Sequence, residues 1–231
     1  MIQPNDLHRL DGNDQFGHLR HRMVDQQLRR RNIDDDRVVE AMLSVPREEF
    51  VPDSLRSEAY EDWPLPIGYG QTISQPFTVA YMIQALELIG DEKVLEIGTG
   101  SGYAAAVLSH VASVVHTVEC VAALGEQAQL RLHQLGYDNV FVHIADGSLG
   151  LPDHSPFDAI VVAASPEELP EPYAEQLAEG GRIVIPLGTA TMSQRLIRFI
   201  KCGGGLEAED LGSFAFVPLI GEDGWNVAHA W

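Results

Sequence analysis

The sequence predicts an α/β fold built on a parallel sheet, on the strength of three observations. Short apolar runs rich in β-branched residues recur at Lys93–Ile97, Val114–Val118, Val140–Ile144, Phe157–Ala163 and Arg182–Leu187. Helical segments, or the turn Pro166-Glu167-Glu168-Leu169-Pro170, separate them, and such alternation means parallel strands with both faces covered. The first run also passes directly into Gly98-Thr99-Gly100-Ser101-Gly102, after which Tyr103–Val111 reads as a helix. Strand, glycine turn and helix bring bare backbone against a nucleotide-like ligand.

The remaining elements follow in order. Met1–Gln15 is polar, lacks an apolar signal core, and reads as a mobile tail. Phe16, Leu19, Met23 and Leu28 stand near helical spacing and predict a helix over Phe16–Asn32, with Arg29, Arg30 and Arg31 where cations suit its dipole. Asp34, Asp35 and Asp36 beside that run argue for a solvated helix junction over a nucleic-acid patch. Asp34 can cap a second helix carrying Val38, Val39, Met42 and Leu43, ended by Pro46. Tyr60–Gln75 is a proline- and glycine-rich loop long enough to expect a function for it. Pro76 suits the first turn of a helix running to about Leu88. Arg195–Lys201 and Leu211–Val217, joined through Gly203-Gly204-Gly205, predict a closing antiparallel pair. One domain follows, over residues 16–231: a helical extension and loop to residue 92, then an α/β core with its C-terminal strands.

The loop spacing is G-x-G-x-G, not the G-x-G-x-x-G of dinucleotide binders, and Glu96 stands two residues before the first glycine. A carboxylate there would repel a pyrophosphate but suits an ammonium and a sulfonium, which points to S-adenosyl-L-methionine rather than NAD. Glu119 ends the next strand, 21 positions after Gly98, where such folds place the acid that binds ribose hydroxyls. Asp146-Gly147 ends the third strand, placed to receive an adenine amino group. A ligand-free tight turn explains the glycines alone, and strand-end or capping carboxylates explain either later acid alone. Three acids at three successive strand ends favour a cofactor site, and the architecture is then a Rossmann-like, class I S-adenosylmethionine-dependent methyltransferase fold with an N-terminal helical extension.

Composition narrows the partners. At 231 residues the chain can bury a sizeable core, and its formal net charge is −19. Such a surface repels phosphate backbones and disfavours nucleic-acid substrates. Cys120 and Cys202 are too few for a disulfide framework or thiolate metal site. The nine histidines are scattered, His18-x-x-His21 fits a surface helix, and no metal site is expected. The longest small-apolar stretch, Tyr103–Val115, is interrupted and too short to span a bilayer. A cytoplasmic monomer without membrane contact is the expectation.

Val45-Pro46-Arg47-Glu48-Glu49-Phe50-Val51-Pro52, then Pro64 through Pro76 (PLPIGYGQTISQP), then the glycine loop, closely resemble the protein-L-isoaspartate O-methyltransferase family, as do Phe216–Leu219 and Gly224-Trp225. The resemblance spans roughly Met23–Trp225. It implies methyl transfer from S-adenosylmethionine to the free α-carboxyl of isoaspartyl residues in damaged proteins, after which the ester closes to a succinimide and hydrolysis returns some normal aspartate. It also implies Ser74 as the active-site residue, orienting the substrate carboxylate, although a helix-capping serine is the plainer reading of the residue alone. By the same resemblance Glu96, Gly98, Gly100, Glu119, Asp146 and Gly147 contact the cofactor, with Gln71, Thr72 and Ile73 near its methionine end. The chain departs from many relatives at Ala104, Cys120, Ala145 and Ala163, which flank the cofactor and leave its acids intact.

Two other functions share these features. A sister enzyme would methylate an ordinary aspartate side chain in one dedicated peptide, and a non-catalytic module would bind cofactor and regulate a partner. Hydride transfer is disfavoured by the loop spacing and Glu96. Base methylation is disfavoured because Ala164-Ser165-Pro166 lacks the motifs such reactions use.

Overall fold

The computed structural model describes residues 12–189 and 193–226, with side chains described from residue 16 onward. Helix α1 (Gly12–Met23) starts inside the stretch expected to be tail, whose residues 1–11 lie outside the described residues. It continues through a π-helical turn, Val24–Leu28, and a 3-10 turn, Arg29–Arg31, until Asn32 stops it at φ 64°. The cap of α2 (Asp36–Ser44) is Asp35, not the expected Asp34. Asp35 Oδ1 accepts from the Arg37 N–H at 2.8 Å and the Val38 N–H at 3.4 Å. The Asp34 N–H donates instead to Gln84 Oε1 at 2.9 Å.

Tyr60–Gln75 is more ordered than its composition suggests. Strands β1 (Leu65–Gly68) and β2 (Gln71–Ile73) pair as an antiparallel hairpin about Gly68-Tyr69-Gly70, all at positive φ. Strands of four and three residues, one carrying a proline, are too short for their alternation to register. Helix α3 (Pro76–Ala85) begins as expected but stops short of Leu88, with Glu87 at φ 49°.

The predicted alternation then runs as β3 (Lys93–Ile97), α4 (Tyr103–Leu108), β4 (Val114–Glu119), α5 (Ala122–Gln134), β5 (Val140–Ile144), β6 (Phe157–Val162), α6 (Glu171–Gln176) and β7 (Leu177–Leu187). The antiparallel strands β8 (Gln194–Cys202) and β9 (Gly205–Phe214) complete it. The seven strands lie in the order β5-β4-β3-β6-β7-β8-β9. The chain thus leaves β3 toward one edge and returns to its other side at β6, and the carboxyl ends of β3, β4 and β6 frame the switch-point crevice. Strand β9 ends at Phe214, three residues before the expected Val217, because residues 215–226 turn back across those strand ends.

Burial on both faces explains the continuous apolar runs. Val94, Val115, Ala159, Val161 and Val184 belong to a core shared with α2, α3 and α4. Leu95, Ile97, Val118, Ile160, Val162 and Ile183 form the opposite core, with Tyr173 of α6 and Leu177. Among the described residues no helix is long and apolar enough to cross a membrane.

Candidate active site

The glycine turn is fixed by the strand beside it. The Gly98 and Thr99 N–H groups both donate to the Val118 carbonyl, at 2.9 and 3.2 Å, and the Gly102 N–H donates to Thr99 O at 2.8 Å. Gly98 (φ 96°) and Gly102 (φ 89°) need the left-handed freedom of glycine, and a Cβ on Gly102 would meet the Leu132 side chain at 3.2 Å. The backbone is thereby laid flat along one wall of a cavity.

Glu119 holds that backbone in place. Its Oε2 accepts from the Gly100 N–H at 2.7 Å and its Oε1 from the Val121 N–H at 2.9 Å. Oε1 also accepts from Cys120 Sγ at 3.8 Å, and Glu119 lines the cavity with acceptor capacity left on its carboxylate. Glu96 lies beneath the turn instead of on the cavity wall, 1% exposed, accepting a 2.5 Å hydrogen bond from Thr117 Oγ1. Burial pushes its carboxyl up to about 8; the Thr117 hydrogen bond opposes that shift and the Glu119 charge adds to it. Asp146 also faces away from the cavity wall. Its Oδ1 accepts from Ser148 N–H and Oγ–H at 2.9 and 2.7 Å, and its Oδ2 from the Glu222 N–H at 2.8 Å. Gly147 does line the cavity, pressed so closely on Ile97 that a Cβ would fall 2.8 Å from that side chain.

Gln71, Thr72, Ile73 and Ser74 supply the opposite wall from β2 and the residue after it. Ser74 stands one residue before Gln75, the N-cap position of α3, so the capping reading does not describe it. Its carbonyl accepts from Arg47 Nη2 at 2.8 Å. Arg47 is fully buried, gives its Nε to Ala59 O at 2.6 Å, and lays its guanidinium 4.7 Å from the Tyr103 ring centroid. Burial lowers its pKa, and among the described residues no carboxylate pairs with it. An arginine inside Val45–Val51 was visible in the sequence, but nothing there marked it as the anchor of Ser74.

A second cleft adjoins the first. Thr72, Ser74, Ala163 and Val217 line both, and Arg31, Phe77 and Phe216 extend the second outward. Arg31 is not merely solvated: it pairs with Asp62 and lies 4.3 Å from the centroid of Phe77. Val217, Pro218, Leu219 and Ile220 close the first cavity, a role the sequence reading did not assign. They are held there by the Leu219 N–H on Ser165 O at 2.9 Å and the Trp225 indole N–H on the same carbonyl at 2.8 Å.

A profile of the family described as protein-L-isoaspartate(D-aspartate) O-methyltransferase matches residues 19–224. The chain belongs to that family. A protein-L-isoaspartate O-methyltransferase of Roseiflexus castenholzii is 53% identical over 214 residues, 93% of this chain and 97% of the relative. One of Pelobacter propionicus is 52% identical over 204 residues, 88% and 91% of the two chains. A solved protein-L-isoaspartate O-methyltransferase superposes with a TM-score of 0.80 at 32% identity, covering 89% of this chain and 67% of that one. Another, from Plasmodium falciparum in complex with S-adenosyl-L-homocysteine, gives 0.73 at 28% identity over 89% and 98%. The sheet, its order and its switch point are those of the Rossmann-like class I methyltransferase fold, as the sequence predicted. The O-methyltransferase family uses S-adenosylmethionine, and the residues here fit it: glycine backbone on one side, apolar Ile97, Val118 and Leu219, and the Glu119 carboxylate in the same cavity.

Proposed function

We propose that Ser74 receives the α-carboxylate of an L-isoaspartyl residue at the mouth of the cofactor cavity. Family membership makes this chain a carboxyl O-methyltransferase of protein repair. The observation that carries the assignment of Ser74 is its position at the junction of the two clefts, where one side chain can touch both reactants. S-adenosylmethionine supplies an electrophilic methyl on a sulfonium. The substrate carboxylate, with a pKa of about 3.5, is already ionised at neutral pH and needs no strong general base. The protein's task is therefore placement and exclusion of water. The Ser74 hydroxyl donates to one carboxylate oxygen and leaves the other free to attack. Arg47 keeps the Ser74 main chain in register.

The cofactor contacts follow from the same geometry. With S-adenosylmethionine bound, Glu119 would accept from the ribose hydroxyls, Gly98 and Gly100 would offer bare backbone, and Gln71, Thr72 and Ile73 would hold the methionine end. Gly147 would lie against the adenine. Glu96 and Asp146 act from behind, Glu96 through Thr117 and the glycine turn, Asp146 by fastening the segment at Glu222. The second cleft, with Phe77 and Phe216 on its walls, takes the peptide flanking the damaged residue. The enzyme works as a cytoplasmic monomer without nucleic acid or membrane.

Incubation with radiolabelled cofactor and a matched pair of isoaspartyl and aspartyl peptides tests this. Only the isoaspartyl peptide should be labelled, and the ester should be lost in mild base as the neighbouring amide expels methanol. Equal labelling of both peptides, or a base-stable product, would overturn it.

A further inference from the structure

Three histidines from separate parts of the chain converge on the sheet face turned away from α5. His116 is on β4 and His143 on the edge strand β5. The parallel register sets Phe141 beside His116 and His143 beside Val118, so both imidazoles project from one face. Helix α5 packs on the other face, where Gly125 approaches Ile144 and Glu119. His154 ends the 3-10 turn Pro152–His154 and brings its ring over the pair, with centroids 4.5 Å from His116 and 5.0 Å from His143. His116 is buried, with Phe157 and Phe141 packed on it at 6.0 and 5.4 Å between centroids. His143 is half-buried and His154 exposed, so the cluster opens to solvent on one side.

Hydrogen bonding accounts for only part of this arrangement. His116 Nδ1 and His143 Nε2 lie 3.0 Å apart and share one proton. The His154 ring makes ring contacts only, although one nitrogen from each of the three histidines lies within 4.8 Å of the others. Tetrahedral zinc holds nitrogens at 2.0–2.1 Å, which separates them by about 3.3 Å. The bonded pair already has that spacing, and rotation of the exposed His154 side chain closes the rest. Burial, with His154, His143 and Lys93 nearby, pushes the His116 pKa down to about 4, and burial with His154 lowers that of His143. The Lys93 ammonium is tied to the His154 carbonyl at 2.8 Å and lies over the Phe157 ring.

We propose that His116, His143 and His154 form a site for a divalent first-row transition metal of the zinc class, with three imidazole ligands and a fourth position open to water. Coordination releases no net proton: the proton shared by His116 and His143 moves to its own ring's other nitrogen. The site is separate from the cofactor cavity, since none of the three histidines lines that cavity. Its occupation would fasten the 152–154 turn to the edge of the sheet. No sequence motif announces it, since the ligands stand 27 and 11 residues apart and meet through the pairing of β4 with β5 and the turn that brings His154 over them.

The test is a titration of tag-free, metal-stripped full-length protein with Co²⁺, followed by visible ligand-field absorption and then by displacement with Zn²⁺. One equivalent should bind with the intensity of a tetrahedral centre, and Zn²⁺ should raise the thermal unfolding midpoint. His154→Ala, on an exposed turn, and His143→Gln should each weaken binding tenfold or more and abolish the thermal shift. The double variant His18→Ala/His21→Ala should keep both. Absence of saturable Co²⁺ and Zn²⁺ binding, or unchanged affinity in His154→Ala, would overturn the proposal.

Discussion

Ser74→Ala separates positioning of the substrate from support of the fold. Because Gln75 holds the cap position of α3, removal of the Ser74 hydroxyl should leave unfolding free energy nearly unchanged. Single-turnover methyl transfer should fall tenfold or more, about 1.4 kcal/mol of barrier, with little change in cofactor affinity. A variant that is destabilised yet fully active would refute the assignment. Glu96 makes a second prediction at this scale. Its folded pKa of about 8 lies above the unfolded value near 4.5, so the fold prefers the neutral acid. Its contribution to stability is complete below pH 4.5 and is lost as the pH rises toward 8. Urea unfolding of cofactor-free protein at stepped pH should therefore fall more steeply across that window in wild type than in Glu96→Gln; parallel curves would count against a buried, titrating Glu96. Sequence placed Glu96 beside the glycines correctly in one dimension. It could not tell that the side chain turns inward to Thr117, because strand alternation fixes a face and not which neighbour occupies it.

At the scale of elements, the strongest signals in the sequence were those set by local chemistry. The five parallel strands, the proline-started α3 and the glycine turn each rest on residues that act within a few positions. The N-terminus of α2 shows where this runs out. Three successive aspartates all have capping chemistry, and the choice of Asp35 depends on Gln84, fifty residues away, which accepts from the Asp34 and Asp35 N–H groups. Asp35→Ala should cost about 1 kcal/mol, and Asp34→Ala a few tenths at most. Denaturant melts of the two variants compare them directly, and equal losses would argue against the observed cap. The hairpin β1–β2 was similarly obscured: its two-residue turn is Tyr69-Gly70, both at positive φ, and a tyrosine at the first of those positions is not a residue that announces such a turn. The expected strand was carried on to Val217, the first residue of the wall formed by residues 217–220, because the apolar run continues past β9. In the fold, Ser165 draws that segment out of the sheet.

The whole molecule carries a net charge of −19 and still must admit a protein substrate. The field around such a surface attracts cationic chains and is screened within about 10 Å at 0.1 M salt. Isoaspartyl peptides with basic flanks should show a lower KM than acidic ones at low ionic strength, and the difference should shrink as salt is added. Steady-state kinetics on two such peptides across a salt series measures this. A salt-independent ratio would mean that the cleft walls, with Arg31 and the phenylalanines, select substrates without help from the surface. Charge was fully legible in the composition; its consequence for substrate choice needed the cleft.

The closing segment also sets an order of events during synthesis. Among the described residues all nine strands and the glycine turn precede residue 215, yet one wall of the cavity comes from residues 217–220, and Asp146 is fastened by the Glu222 backbone. A chain emerging from the ribosome N-terminus first can assemble the sheet before it possesses a complete binding site. The capacity to hold the cofactor is thus acquired after the sheet that carries it. The nascent enzyme passes through a stage in which its scaffold is finished and its chemistry is not.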